Sequence, residues 1–129
     1  MPRRGHDDCM AAKDELGRAG EARAASHLEL LGYQVVARNW RHPEGELDIV
    51  AVRGNEVAVI EVKARSGLKF GHPFEAIDER KRKRLWRLAY AWVKEHPELA
   101  RGRMLRIHAI AITGPAPATG VLEHLQDLR

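Results

Sequence analysis

The sequence predicts an α/β domain: a central mixed sheet with helices on both faces, in three layers. Segments with helical apolar spacing and short β-branched runs follow in the order α-β-β-β-α-β-β. Arg53-Gly54-Asn55-Glu56 carries a Gly-Asn hairpin signal between two of the strands. The chain is 129 residues long and 44% hydrophobic, enough for one real core.

Met1 to Ala12 reads as a loose, disordered tail, and residues 13–129 as a single domain. His6, Asp7, Asp8 and Cys9 are metal-ligand types, but a solvated terminus is the expected reading. From Lys13 to Leu31 the pattern is helical, with Leu16, Gly20, Ala24, Leu28 and Leu31 on one stripe. Gly32 stops that helix. Tyr33–Trp40, Leu47–Val52 and Val57–Lys63 suit strands. After a loop from Arg65 to His72, Phe74–Lys94 reads as one long helix, ended by His96-Pro97. Leu105–Ile112 is a fourth strand and Val121–Leu125 a short edge strand.

The formal net charge is +4 and the sequence pI about 9.6, which suggests an acidic partner, nucleic acid first. A single cysteine excludes an internal disulfide, and no Cys/His zinc spacing is present. No apolar leader or membrane-length run occurs, so a soluble cytoplasmic protein with no membrane partner is expected.

The strand Val57–Lys63 carries the sharpest signal. Strand side chains alternate, so Glu61 and Lys63 share a face with Val57 and Val59. A two-residue loop at Gly54-Asn55 pairs Arg53 with Glu56. It then sets Val52 against Val57, Val50 against Val59, Asp48 against Glu61 and Glu46 against Lys63. Directly opposed residues have Cβ atoms about 5 Å apart, so Asp48 and Glu61 repel unless a proton or a cation lies between them. Mg²⁺ is bound by one or two carboxylates with waters and substrate phosphate oxygens. Lys63 lies within reach of whatever such an ion holds. A three-residue loop would shift this register, and an edge Glu-x-Lys is ordinarily a solvated pair.

Two further polar residues sit among apolar ones. Glu21 lies at the margin of the first helix's stripe, where Arg18 can pair with it at i, i+3 spacing. Lys81 falls in the middle of the stripe Ile77, Lys81, Leu85, Leu88 and Trp92, so it must snorkel or meet an anion. Around it, Arg80, Arg82, Lys83, Arg84 and Arg87 form a basic helix suited to a phosphate backbone. Trp92 is expected in the core, and the histidines show no spacing that names a site.

Gly20-Glu21, GELDIVA (45–51), VIEVKAR (59–65), FGHPFEAID (70–78) and KRKRL (81–85) together resemble the YraN family of small bacterial proteins. That family is similar to archaeal Holliday-junction resolvases and to the restriction-endonuclease-like, PD-(D/E)xK nucleases. The resemblance implies an α/β/α restriction-endonuclease-like fold and Mg²⁺ (or Mn²⁺) held by Asp48, Glu61 and the carbonyl of Val62. It also implies Lys63 as the third member of the catalytic signature, Glu21 as a further acid and Lys81 as a basic group. The pattern is departed from in two ways: no Pro precedes Asp48, and Arg82 and His108 stand where relatives often have Gln and Asp. The expected function is a metal-dependent endonuclease acting on nucleic acid, with DNA, branched DNA included, the favoured substrate and a homodimer natural for two strands. A non-cleaving nucleic-acid-binding module and a protein-interaction domain with a structural acidic pair stay open beside it.

Overall fold

Alternating and β-branched runs zip into one five-stranded sheet whose spatial order is the chain order: β1 (Gln34–His42), β2 (Gly45–Arg53), β3 (Glu56–Arg65), β4 (Met104–Thr113) and β5 (Val121–Leu125). This structure is a computed structural model. It describes residues 4–69 and 71–128, with side chains described from residue 15 onward. The sheet is mixed, as expected: β3 and β4 are parallel and every other neighbouring pair is antiparallel. A parallel pair needs a crossover, and the helix α2 (Glu79–Glu95) supplies it.

Helix α1 (Arg4–Leu30) covers one face of the sheet through Ala24, Ala25 and Leu28, which meet Ile49, Ala51, Ala58, Ile60, Ile110 and Ile112. Helix α2 covers the other face through Leu85, Leu88, Ala89 and Trp92, against Val50, Val52, Val57, Val59 and Ile107. The strand period of two therefore sorts the sheet into the expected three layers, and Trp92 is in the core as expected.

Two element bounds differ from those expected. The stretch expected as a loose tail, 1–12, is helical from Arg4; residues 1–3 lie outside the described residues, as do the side chains of His6, Asp7, Asp8 and Cys9. The long second helix is also divided. A 3₁₀ turn, Pro73–Ala76, comes first, and Asp78 then caps α2 by accepting from the Lys81 amide. Past His96, Pro97 opens a further short helix, α3 (Pro97–Ala100), because its fixed φ suits a first helical position. At the end of α1, Gly32 has φ 91°, and the Gly32 and Tyr33 amides close on Glu29 and Leu28.

The α1 face also carries a buried polar chain. Tyr33 Oη donates to Glu56 Oε1 at 2.6 Å, and His108 Nε2 contacts Glu56 Oε2 at 2.9 Å. His108 Nδ1 meets His124 Nε2 at 2.9 Å, and His124 Nδ1 meets His27 Nε2 at 3.1 Å. An ionised carboxylate only accepts, so His108 donates to Glu56. Each histidine in turn then donates through Nε2 and accepts through Nδ1, and all three are neutral. Burial lowers the pKa of His27 and His108, and of His124 to about 4. Among the described residues, no helix is long and apolar enough to cross a membrane.

Candidate active site

The β2–β3 hairpin closes on Gly54 (φ 55°), with Arg53 opposite Glu56, Val52 opposite Val57 and Val50 opposite Val59. The register is the one the two-residue loop predicts. The ladder ends at Ile49 opposite Ile60. One residue further, Asp48 Oδ2 accepts a hydrogen bond from the Val62 amide at 2.8 Å, and the Asp48 and Glu61 carboxyls lie close enough for each to shift the other's pKa. The two acids thus meet as expected. Glu46 does not reach Lys63, because the strands have parted; it pairs with Arg41 of β1 at 3.6 Å.

Burial raises the Asp48 pKa to about 8, with the Glu61 hydrogen bond and charge and the Glu21 charge adding to it, while the Val62 amide opposes the rise. Burial also pushes Glu61 upward, but the Asp48 hydrogen bond and the charges of Lys63 and Lys81 outweigh it and leave its pKa below the ordinary value. Near neutral pH the pair therefore holds one proton, on Asp48. Lys63 is itself lowered by burial and by Lys81. Lys81 Nζ lies 3.3 Å from Glu61 Oε2, so the lysine in the core stripe meets an anion.

Glu21 is buried at 7% exposure. Its partners are not Arg18 but Arg38 Nε at 3.1 Å and Asn39 Nδ2 at 2.9 Å, both on Oε1. Arg38 and Asn39 are functional candidates that periodicity could not single out; the only hint was an Asn, the residue type after Gly most tolerant of positive φ, inside a strand pattern. Gly17, Arg18, Glu21, Asn39, Glu46, Asp48 and Val62 line one open cleft of about 220 Å³.

The basic helix divides into two groups. Arg80, Lys81, Arg84 and Arg87 line a recess of about 230 Å³ with Asp78. Arg82 instead donates to the Ile77 carbonyl at 3.3 Å, and Lys83 pairs with Glu79 at 3.3 Å. His108, at the other departure from the family pattern, belongs to the buried histidine chain rather than to this cleft.

The donor set of Asp48 and Glu61 is all oxygen and suits a hard divalent ion. The repulsion that keeps a proton on Asp48 is the repulsion a cation would relieve. Val62 stands at the same point, through its amide. Among the described residues, no group of three or more His, Cys, Asp or Glu side chains could hold a metal ion together.

Fold and site define an α/β domain with two acids, Glu61 buried and Asp48 half-buried, and two lysines clustered at one end of its central strands. Residues 20–112 match the family described as "Uncharacterised protein family UPF0102". A UPF0102 protein of Paenarthrobacter aurescens (strain TC1) is 48% identical over 119 residues, 92% of this chain and 97% of the relative. One from Arthrobacter sp. (strain FB24) is 47% identical over 119 residues, 92% of this chain and 99% of the relative. The chain belongs to the UPF0102 family, which is the YraN family the motifs resemble.

Proposed function

We propose that the protein is a Mg²⁺- or Mn²⁺-dependent endonuclease that hydrolyses phosphodiesters in nucleic acid, DNA foremost. The observation that carries this reading is the approach of half-buried Asp48 to buried Glu61, with Asp48 raised to about 8 beside Lys63 and Lys81. Isolated structural acids avoid such contact, whereas a cation site requires it. Asp48 and Glu61 would hold the ion, with the Val62 carbonyl as a third oxygen. When bound, the ion supplies a polarised phosphate and a water of lowered pKa. Lys63 orients the attacking water and screens charge on the phosphate. Lys81, 3.3 Å from Glu61 Oε2, would contact the flanking phosphate. Arg80, Arg84 and Arg87, at i, i+4 and i+7 on α2, track the backbone on either side. A symmetric dimer would set two such sites on two strands.

The Lys81–Glu61 pair favours one other reading. A lysine already neutralises Glu61, so a binding module could keep this cluster without cleaving.

The test is a cleavage panel over duplex, flap, junction and RNA substrates with Mg²⁺ or Mn²⁺. Metal-dependent nicking that disappears in Glu61→Ala and Lys63→Ala while binding survives is the expected result. Binding without cleavage on every substrate would establish the module instead. A protein that ignores nucleic acid even at low salt would refute both.

A further inference from the structure

Asn39 is the one non-glycine residue with positive φ among the described residues, at 54°. It lies inside β1, where such a backbone breaks the strand's regularity. Arg38 pairs with Ile49 and Trp40 with Leu47, so Asn39 and Asp48 occupy the intervening place in the β1–β2 ladder. Arg38 and Asn39 are also consecutive. In a regular strand their side chains would leave opposite faces of the sheet. Here both donate to the same oxygen, Glu21 Oε1, at 3.1 and 2.9 Å. Only a break in alternation lets two neighbours converge this way, and the left-handed backbone at Asn39 supplies the break. Asn reaches that conformation more readily than any other side-chain-bearing residue, and its amide offers the donor.

We propose that Asn39 is the positioning residue of the site. Its left-handed backbone turns a strand side chain back toward α1, where the amide holds the buried Glu21 carboxylate over the cleft it shares with Asp48. The proposal rests on the cation-site reading and extends it: it makes Glu21 a working acid of that site, oriented by Asn39 and Arg38 together. Two donors on Oε1 fix the carboxylate plane, and Oε2 takes no part in that pair. Partners outside the ligand set typically change metal affinity by 10–100-fold.

The experiment separates backbone from side chain in the full-length protein. Asn39→Gly keeps the left-handed conformation and deletes the donor. Asn39→Asp keeps the shape and sets a second carboxylate against Glu21. Asn39→Ala loses both donor and conformation. Mn²⁺ affinity is measured by calorimetry, alongside thermal midpoints without metal. Asn39→Gly is expected to fold with a midpoint near that of the wild type and to lose about tenfold in Mn²⁺ affinity, as Glu21→Gln should. Asn39→Asp should lose less than Asn39→Gly, or gain, because a carboxylate can itself face the ion. An Asn39→Gly protein that binds Mn²⁺ within twofold of wild type overturns the positioning role. A metal-free arm keeps the two readings apart. The Asn39 side-chain amide NMR signals of the wild type should be displaced and slow to exchange, and should return to ordinary values in Glu21→Ala. If the wild type binds no Mn²⁺ while this signature holds, the cation site fails and the hold on Glu21 stands. If the signature is absent, the hold itself is refuted.

Discussion

Gly20 precedes Glu21 on α1 and lies against β3. A Cβ added at Gly20 would sit 2.8 Å from the Ala64 Cβ and 3.9 Å from Ile112 Cδ1. Carbon atoms in contact prefer about 3.5–4.0 Å, so the helix would have to lift by roughly 1 Å. Neither atom of the close pair can rotate away, since each is the first carbon on its backbone. Gly20→Ala therefore sets two effects against each other. Replacing glycine in a helix stabilises by about 1 kcal/mol. Overpacking a rigid contact costs about 1–3 kcal/mol. Overpacking wins, and a net loss of up to about 2 kcal/mol lowers the thermal midpoint of a domain this size by up to roughly 8 °C. Because Glu21 rides on the same turn, Mn²⁺ affinity should fall as well. Thermal unfolding by circular dichroism reads the first effect and calorimetry the second. The pair Gly20→Ala/Ala64→Gly should recover much of the loss, and a double-mutant cycle should give a coupling near 1 kcal/mol. A Gly20→Ala protein as stable as the wild type or more so, or an additive cycle, would refute the close approach.

Three other outcomes follow from the geometry. Asp48→Asn replaces a repelling acid with a neutral isostere, so without metal it should be more stable than the wild type at pH 8.5–9, by about 1–2 kcal/mol. The margin should shrink below pH 7, where Asp48 is already protonated, and any Mg²⁺-dependent rise in melting temperature should be lost; urea midpoints across pH with and without Mg²⁺ decide it. For the histidine chain the sign is opposite. His124 titrates near 6.5 when unfolded and at about 4 when folded, so its contribution is full above pH 6.5 and is lost as pH falls through 4. The whole shift would be worth roughly 3 kcal/mol, and screening at this partly exposed ring reduces it to about 1–2 kcal/mol. His124→Gln should flatten the stability difference between pH 7 and pH 4.5 relative to wild type in matched urea titrations; an unchanged difference would exclude the chain as the cause. On the basic helix, Arg84→Ala should lower the slope of log affinity against log salt for DNA by about 0.7–0.9, while Lys83→Ala leaves it unchanged, as read by fluorescence anisotropy. Equal effects would mean that the helix offers no preferred side.

The approach of Asp48 to Glu61 was legible because the period of two and a two-residue turn carry the register to Ile49 opposite Ile60, one residue short of the two acids. Lys81 was legible for a similar reason: a cation in an apolar stripe needs an anion, and Glu61 is there. The Glu21 partners were not legible. Arg18 is near in sequence, but Arg38 and Asn39 reach Glu21 only through a left-handed residue that no hydrophobic pattern marks. The division of the second helix was written in Asp78, a preferred capping residue, although apolar spacing runs on through it. The histidine chain draws on α1, β3, β4, β5 and Tyr33, and contacts between residues as far apart as His27 and His124 leave no local trace.

Glu21 and His27 stand six residues apart on α1, about 9 Å along its axis. The first is tied to β1 and the second to β5, the two outermost strands of the sheet. Arg23, between them, grips the carbonyls of Pro117 and Gly120 ahead of β5. The helix therefore works as a diagonal brace from margin to margin. Strands that would otherwise fray separately are obliged to open together, so amide protons at both borders should exchange at a common rate, and loosening either border should disturb the acid cluster.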